Sequence, residues 1–419
     1  PSSSPSTVFS TTLFEQNLIL SGDSPREEFG YGVAMNGAAT VVAIGARYHG
    51  AEKQGRVQVY QFDSDRWVPK GKPIYGRYAQ DQLGWSVALN DDGNILAVSE
   101  PGFDTDAGSR VGNIRVFIWN DKDDWTTLGN EIPGEGVAGL SGVGLSLSAE
   151  GTRLAIGSPL ETTSKQKRQG GRVRVYELQI ENEEGQRQNL DIDHVDWSDW
   201  NSSLQKHISN STWQPLGDPL EGDDSVDYFG WSIDLQGDDI AIGAPRNRKH
   251  GGYVRLFRWN STAWSPLGND IKNDFPESNA QDRFGMSVSL NQNRVAIGAP
   301  WKDVAGASNV GLVAVYAYGE DKEWSLTGTP LIGDEPLLQL GLSVCIRGKD
   351  YLSVGAPGGP TGRVEFYHFD GQSWDPASAF LYGEHPKEDF GHWVVANKDF
   401  TKILVGSPAT TVQDYPGSV

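Results

Sequence analysis

A phrase of four parts recurs seven times along this chain of 419 residues, and it constrains the fold more than any other feature. The clearest copy runs from Phe229 to Phe257 and reads FGWSIDLQGDDIAIGAPRNRKHGGYVRLF. Each copy opens with an apolar residue and a glycine, and these pairs are Phe29-Gly30, Leu83-Gly84, Val143-Gly144, Phe229-Gly230, Phe284-Gly285, Leu340-Gly341 and Phe390-Gly391. An internal repeat of this size determines the architecture before any single segment does.

The remaining parts follow each opening pair at nearly constant spacing. A Gly-Ala-Pro-like stop comes 13 to 15 residues after the glycine. In six copies a second alternating run comes next, and a run that opens with tryptophan comes last. Alternation at period two, broken by Gly, Pro, Asn and Asp, predicts four strands per copy. Strands that are apolar on both faces need cover on both, which radial packing of four-stranded sheets provides. We therefore predict an all-β fold, a seven-bladed β-propeller of four-stranded antiparallel blades over residues 13–419.

The two ends of the chain bear on how this ring closes. Residues 1–12 are rich in Ser, Thr and Pro and are interpreted as a linker or a mature terminus. Leu13 lies nine residues before Gly22, which is the tryptophan-to-glycine spacing of the other fourth strands. We expect this segment to supply the outer strand of the last blade. Because the chain stops at Val419, where a third strand should begin, we also expect it to be part of a longer polypeptide.

The third repeat carries an insertion, residues 179–212, which is polar and acidic. One interpretation is an extended hairpin or solvated loop, and the other is a docking arm for a partner. Its apolar content is mainly Trp197 and Trp200.

Composition excludes several classes of partner. Asp and Glu outnumber Lys and Arg by 55 to 35, a formal charge of −20 that repels nucleic acid and anionic lipid surfaces. No apolar stretch approaches the roughly 18 residues needed to span a bilayer. The single cysteine, Cys345, is predicted to be a buried, inert thiol, because no histidine or basic cluster lies near it in sequence.

Two acidic stretches are candidates for Ca²⁺, and no other cofactor is predicted. Asp104 and Asp106, with Ser109, form the first, and DIDHVDWSD at 191–199 forms the second. Neither has the glycine and distal glutamate of a helix-loop-helix calcium site, so hydrated acidic loops are the alternative interpretation.

No arrangement of residues predicts catalysis, and we expect a protein that is not an enzyme. The seven histidines form no zinc-binding pair, and no nucleophile elbow or phosphate-binding loop is present. His385, Glu388 and Asp389 lie near the start of the seventh repeat, and His49 lies in a loop of the first. General acid–base chemistry between them is conceivable, but the loop faces of propellers collect such residues in any case.

Candidate binding residues come from the variable loops. In a propeller, the loops that follow the second and fourth strands emerge on one face, and variable loops on a rigid scaffold are where recognition usually resides. Phe103, Arg246, Arg248 and Trp301 are the partner-binding candidates on that face, since aromatic and arginine side chains dominate interface energetics. Six tryptophans open fourth strands, and Trp85 and Trp231 follow the opening glycine; we expect all eight to pack between blades.

Three Asn-x-Ser/Thr sequons, at Asn201, Asn210 and Asn260, are the glycosylation candidates. All three fall between third and fourth strands, on the face opposite the variable loops. A glycan there would leave the variable-loop face open to a partner; the alternative is that these are unused polar turns.

The Phe-Gly openings and Gly-Ala-Pro stops resemble FG-GAP repeats, best known from the propeller of integrin α subunits. The resemblance covers residues 13–419 and implies a seven-bladed propeller. Integrin propellers often carry Asp-x-Asp-x-Asp-Gly calcium loops between the first two strands, but the links here, such as Asn90–Gly93, are too short for them.

The resemblance favours a secreted or cell-surface, non-catalytic adhesion protein that binds protein or matrix partners. A glycan-binding lectin that uses loop aromatics such as Trp301 is the first alternative, and an enzyme acting on polysaccharides is the second. Fold alone does not decide between these functions.

Overall fold

The alternating runs of the repeats form antiparallel sheets in a computed structural model that describes residues 19–106, 108–120, 124–181, 187–189, 208, 210–348, 350–410 and 415–419. In each complete repeat the first three runs pair in sequence order, and the third run also pairs with two short strands that together occupy the fourth position. In the first repeat the fourth position breaks at Gly71, whose φ of 75° suits glycine. A Cβ there would also lie 3.0 Å from Trp125 of the next blade.

Blades 1 to 3 come from the first three repeats. The strands of blade 1 are β1 (Phe29–Met35), β2 (Val41–Ala46), β3 (Arg56–Asp63), β4 (Arg66–Pro69) and β5 (Ile74–Tyr75). Those of blade 2 are β6 (Val87–Leu89), β7 (Ile95–Glu100), β8 (Asn113–Trp119), β9 (Trp125–Thr127) and β10 (Ile132–Pro133). Those of blade 3 are β11 (Gly144–Leu147), β12 (Arg153–Ser158), β13 (Arg172–Glu181), β14 (Arg187–Asn189), β15 (Ser211–Pro215) and β16 (Leu220–Glu221).

Blades 4 to 6 repeat the same plan, and the last repeat is shorter. Blade 4 has β17 (Ser232–Gln236), β18 (Asp239–Ala244), β19 (Tyr253–Trp259), β20 (Trp264–Pro266) and β21 (Ile271–Lys272). Blade 5 has β22 (Ser287–Asn291), β23 (Arg294–Ala299), β24 (Leu312–Tyr318), β25 (Trp324–Leu326) and β26 (Leu331–Ile332). Blade 6 has β27 (Ser343–Arg347), β28 (Tyr351–Ala356), β29 (Arg363–Phe369), β30 (Trp374–Pro376) and β31 (Leu381–Tyr382), and the last sheet has β32 (Trp393–Ala396) and β33 (Ile403–Gly406).

The prediction of a β-propeller is confirmed, but the prediction of seven four-stranded blades is wrong. Within the described residues six repeats form complete blades, and the seventh forms a sheet of two strands, β32 and β33. This sheet lies between blade 6 and blade 1, since β32 contacts β27 and both of its strands contact β1. Gly417, Ser418 and Val419 lie at the position of a third strand, where Ser418 pairs with Ser407.

The third repeat opens at Ser141-Gly142 and not at Val143-Gly144 as predicted. Gly142 has a φ of 96°, and its N–H donates to Gly157 O at 2.9 Å, as Gly230 donates to Gly243 O at 3.0 Å in blade 4. An apolar residue before glycine is therefore not required at this point. Blade 2 has Ser99 at the place where the other stops have glycine. A Cβ on Gly142 would lie 2.6 Å from the Cβ of Ser99, so this position requires glycine.

Tryptophans tie each blade to the one before it. Trp125, Trp213, Trp264, Trp324 and Trp374 donate Nε1–H to backbone oxygens of the preceding blade, at 2.7 to 3.1 Å. These bonds confirm the predicted packing between blades for five of the six fourth-strand tryptophans. Near the axis, Ser86, Ser232 and Ser287 donate Oγ–H to a carbonyl of the next inner strand at 2.8 Å. The blades are thus linked at both their outer and inner edges.

The insertion begins as a hairpin, since β13 extends to Glu181 and pairs with β14. It returns to blade 3 at Ile208, which is buried against the blade core. Trp197 and Trp200 lie outside the described residues.

The N-terminal segment pairs with the C-terminus. Leu20 and Val419 exchange backbone hydrogen bonds of 2.9 Å in both directions, and Gly22 N–H donates to Gly417 O at 3.2 Å. Ser418 in turn bridges to Ser407, which directly follows β33. Residues 13–18 of the predicted outer strand lie outside the described residues.

Deleting residues 1–22 should destabilise the protein, because it removes these three backbone hydrogen bonds and leaves the sheet edge at 417–419 unpaired. At about 1 kcal/mol for each bond, the free energy of unfolding should fall by about 3 kcal/mol. Chemical denaturation measures this fall, and deletion of residues 1–12 alone is the control that should leave stability unchanged. Equal stability of both truncations would show that the pairing does not close the ring.

Candidate binding site at the channel mouth

The inner strands surround a central channel with a volume of about 990 Å³. Its wall includes Tyr31, Trp85, Trp231, Trp301 and His392. Trp85 and Trp231 were predicted to pack between blades, and they instead face this channel. The buried thiol of Cys345 also lies in the wall and accepts a hydrogen bond from Ala396 N–H at 3.3 Å, so its predicted burial is confirmed.

Three positions recur at the channel mouth in every repeat. The first precedes the Phe-Gly pair and has a positive φ, as in Tyr228 (57°) and Arg283 (61°). The second follows the glycine and donates its N–H to the carbonyl of the first, as Trp231 does at 3.1 Å. The third follows the Gly-Ala-Pro stop, as Arg246 does in blade 4. All three side chains are held by the backbone of a tight turn or by the loop against it.

Blades 4 and 5 place aromatic and arginine side chains at these positions. Blade 4 supplies Tyr228, Trp231 and Arg246, and blade 5 supplies Arg283, Met286 and Trp301. The rings of Tyr228 and Trp231 are stacked with centroids 6.0 Å apart. Arg246 donates to Tyr228 Oη at 3.2 Å, and its guanidinium carbon lies 4.9 Å from that ring. The guanidinium of Arg283 lies 5.7 Å from the Trp301 ring, within range of a cation–π contact.

Arg246 and Arg283 differ from the other half-buried and buried arginines of the described residues, because neither has a carboxylate partner. Arg56, Arg115, Arg174, Arg255 and Arg363 each form at least one ion pair with Asp or Glu. Burial and the positive charge of Arg246 together lower the pKa of Arg283. Two cations without a carboxylate partner therefore lie close enough for one to influence the other, on a chain with a net charge of −20.

Buried polar groups beneath the site hold it in place. In blade 5, Lys302 Nζ lies 3.2 Å from Asp282 Oδ2, and these two residues adjoin Trp301 and Arg283 in sequence. Asn273 also donates to Asp282, at 2.9 Å. The amide of Trp301 donates to the Asp282 carbonyl at 3.3 Å.

Blade 4 repeats this arrangement without a lysine. Asp227 accepts hydrogen bonds from Asn247 at 2.8 Å and from Tyr253 Oη at 3.1 Å, and burial raises its pKa. The amide of Arg246 donates to the Asp227 carbonyl at 3.1 Å. Tyr228 and Arg246 therefore adjoin a buried, hydrogen-bonded pair, as Arg283 and Trp301 do in blade 5.

The other side of the channel mouth, formed by the last sheet and blade 1, is acidic. Glu28 and Asp389 occupy the first position there, and burial raises the pKa of both carboxyl groups. Arg47 Nε donates to Glu28 Oε2 at 2.5 Å, and its guanidinium lies 3.5 Å from the Tyr31 ring. The charge of the first position thus changes from negative at blade 1 to positive at blade 5.

His392 lies between these groups, with its ring centroid 5.2 Å from that of Tyr31. Burial and the positive charge of Arg47 lower its pKa to about 3, from 6.5 in an exposed histidine. The unfolded chain therefore binds a proton at a higher pH than the folded protein, so the stability contributed by neutral His392 is complete above pH 6.5 and is lost as pH falls towards 3.

Replacing His392 with asparagine should remove this part of the pH dependence. Between pH 6.5 and pH 5 the wild type should lose up to about 2 kcal/mol more of its free energy of unfolding than the variant, from one proton at 1.36 kcal/mol per pH unit. Urea denaturation at the two pH values measures the difference. A parallel pH dependence of both proteins would show that His392 titrates normally.

Two of the four predicted partner-binding residues, Trp301 and Arg246, lie in the same site. Arg248 is exposed two residues further along the loop. Phe103 lies elsewhere on this face, where its ring centroid is 5.9 Å from that of Tyr78, an exposed side chain. Sequence reasoning missed Arg283, Tyr228 and Trp231. Aligning the seven copies position by position would have shown that these residues and the predicted pair occupy the same places.

The candidate calcium site does not gather a ligand set in the part of the chain that the structure describes. No group of three or more His, Cys, Asp or Glu side chains that could hold a metal occurs there. Asp104 instead accepts a hydrogen bond from Arg110 N–H at 2.7 Å, and Asp303 accepts one from Asn309 N–H in the matching loop of blade 5. Asp104 therefore has a structural role in its loop. Metal binding at Asp104 and Asp106 stays a prediction, and residues 191–199 lie outside the described residues.

The sequons are only partly described. Asn210 and Asn260 are exposed, and Asn201 lies outside the described residues. The side-chain oxygen Oδ1 of Asn260 accepts hydrogen bonds from Thr262 N–H and Ala263 N–H. Its Nδ2 donates to Ser265 Oγ at 3.1 Å. Asn260 therefore caps its turn, whether or not it carries a glycan.

The candidate acid–base residues are not brought into one group. His49 Nδ1 lies 2.5 Å from Glu27, whereas His385 packs against Tyr415 with ring centroids 5.5 Å apart. Glu388 is buried, and its backbone oxygen accepts a bond from Ala409 N–H.

Comparison with known proteins bears on the fold and on the repeat. The FG-GAP repeat family model matches residues 222–255 and 276–318, which belong to blades 4 and 5. No curated protein matches the chain in sequence. A solved structure from Bacteroides uniformis, provisionally named a 6-phosphogluconolactonase, is similar with a TM-score of 0.55 and 8% identity over 90% of this chain and 88% of that one. At that identity the likeness shows the propeller fold and nothing of the activity.

No helix in the described residues is long and apolar enough to span a bilayer. The opening pairs, the stops and the radial sheets of the other repeats agree with the repeat that is matched in blades 4 and 5. The chain is thus a β-propeller that carries FG-GAP repeats in these two blades.

Proposed function

We propose that this propeller is a non-catalytic binding module that recognises a protein or matrix partner through the face that carries the channel mouth. The observation that carries the proposal is the pair of half-buried arginines, Arg246 and Arg283, which have no carboxylate partner among the described residues. Desolvating two like charges is unfavourable unless a ligand compensates them. Stability alone would favour paired or absent charges here, so a binding role explains their presence.

Preorganisation supports the same role. Tyr228 and Arg283 lie at the left-handed backbone position that recurs in every repeat, so a tight turn fixes the direction of both side chains. The buried pairs beneath, Asp227 with Asn247 and Asp282 with Lys302, hold the side chains with little freedom to lose on binding.

FG-GAP repeats are typical of extracellular and surface proteins, so we place the protein outside the cell or at its surface. Glycans on Asn201, Asn210 and Asn260 would then lie on the opposite face and leave the channel mouth open. A glycan ligand is a second candidate, favoured by the two indole rings of Trp231 and Trp301 in the channel wall.

A panel of purified matrix proteins and glycans, presented to the immobilised protein, tests the proposed face. The double variant Trp301→Ala/Arg246→Gln should lose binding of any ligand that the wild type captures, and deletion of residues 182–208 should retain it. Loss of binding only with the deletion would assign recognition to the insertion and overturn the choice of face.

A further inference from the structure

We infer that the channel mouth at blades 4 and 5 binds a carboxylated sugar unit, with the carboxylate on Arg246 and Arg283 and the sugar ring against an indole. The inference rests on the proposed function, since it names the ligand class of the same face. We name this the arginine–tryptophan site; it consists of Tyr228, Trp231, Arg246, Arg283 and Trp301.

Charge selects the anion. Arginine presents planar donors that match a carboxylate, and hydrogen bonds to charged groups are roughly twice as strong as neutral ones. In the unliganded protein, burial and then repulsion from the guanidinium of Arg246 lower the pKa of Arg283. A single carboxylate between them would relieve that repulsion. A long polyanion would instead meet the repulsion of the whole chain, whose net charge is −20.

The aromatic rings select a sugar over an acidic peptide. Trp231 and Trp301 both line the concave channel, where an apolar ring face can lie flat on an indole. A pyranose carries such a C–H face beside its carboxylate, so one uronic acid unit would use the indole and the arginines together. The side chain of Asp or Glu has no flat face and would use the arginines alone. Tyr228 Oη, already 3.2 Å from Arg246, adds a hydroxyl partner for sugar oxygens.

The surroundings of the site agree with a terminal or short unit. The site borders the channel of about 990 Å³, which Trp231 and Trp301 line. Its other side carries Glu28 and Asp389, which would repel a second carboxylate. The site should therefore prefer one acidic residue at the arginines, followed by neutral or spaced units.

Isothermal titration calorimetry with three probes tests the inference. The probes are the methyl glycosides of galacturonate, glucuronate and mannuronate, each compared with its methyl ester, in which the carboxylate is neutral. At least one uronate should bind, and its ester should bind about tenfold to a hundredfold more weakly, as expected for loss of a charge-assisted pair. Failure of all three uronates to bind, or equal binding of the uronate and its ester, would overturn the inference.

Variants then place the ligand. Arg246→Gln and Arg283→Gln should each weaken uronate binding about tenfold or more, whereas Lys249→Gln should leave it unchanged. Lys249 is the matched control because it is exposed in the same loop as Arg246 and its replacement also removes one positive charge. An equal effect of Lys249→Gln would show that only the overall charge matters and would contradict a built site. Trp301→Leu should weaken both the acid and its ester, since it removes the stacking surface. Melting temperatures of all variants should match the wild type.

A hexaglutamate peptide separates the ligand classes. Binding of the peptide as tight as that of the uronates, with the same arginine dependence, would replace the sugar by an acidic protein segment and overturn the inference. In that case, or if a matrix protein needs Trp301 and Arg246 while no uronate binds, the proposed function stands and only the ligand class fails. If no ligand of either panel depends on this face, both fail.

Discussion

Lys302→Met should destabilise the protein by about 3–5 kcal/mol, because it leaves the carboxylate of Asp282 buried without its cation. Both side chains are almost inaccessible, with 1% of Lys302 and none of Asp282 exposed. Methionine fills a similar volume, so the loss should come from charge and not from packing. Urea denaturation of the full chain measures the change.

The double variant Asp282→Asn/Lys302→Met is the control. It removes both charges, so much of the lost stability should return, and the coupling between the two positions should be large. Because Arg283 and Trp301 adjoin this pair, the single variant should also weaken ligand binding by the arginine–tryptophan site. A single variant as stable as the wild type would show that the pair contributes nothing to the fold.

Trp324→Ala should cost about 3–5 kcal/mol, the range for truncating a large buried aromatic side chain. Trp324 is 4% exposed, and its Nε1–H donates to Leu267 O of blade 4 at 2.7 Å. The truncation opens a cavity between two blades and leaves that carbonyl without its partner. The milder variant Trp324→Phe should cost less, since it keeps much of the ring and loses the hydrogen bond.

Trp301→Ala is the matched control, because Trp301 belongs to the same blade but lies half-exposed in the channel wall. It should leave the free energy of unfolding within about 1 kcal/mol of the wild type, as for most substitutions away from the core. Similar losses for both tryptophans would contradict the assignment of one to the blade interface and the other to the ligand site.

Local patterns predicted the blades because each repeat contains its own strand signals. Period-two alternation, the Gly-Ala-Pro stop and the tryptophan of the fourth strand depend on neighbours within about 50 residues, and they can be recognised in one copy. The opening of the third repeat was misplaced at Val143-Gly144, because Ser141 lacks the apolar side chain that marks the other openings. Only the φ of Gly142 and its bond to Gly157 reveal the shift.

The site was only partly predictable, for a similar reason. Trp301 and Arg246 stood out as aromatic and arginine residues in variable loops. Arg283 and Trp231 lie beside the Phe-Gly pairs, and residues at these places are readily assigned to the packing of the repeat. Their exposure depends on the turn, which places the first position (Arg283) at the channel mouth and directs the second (Trp231) into the channel, and no local pattern encodes these directions.

The sequence by itself determined the all-β class, the radial plan and the order of strands, since these follow from local alternation and from a repeat that must bury both faces of every sheet. Only the tertiary structure decided how the last sheet is completed, because its edge at Ser407 is paired by residues 417–419, which in turn pair with residues 20–22 from the other end of the chain. It also decided which arginines lack a carboxylate. Ion pairs join residues from different blades, as Arg153 with Asp238 shows. The distance between two such side chains is set by the packing of the blades and not by their spacing along the chain.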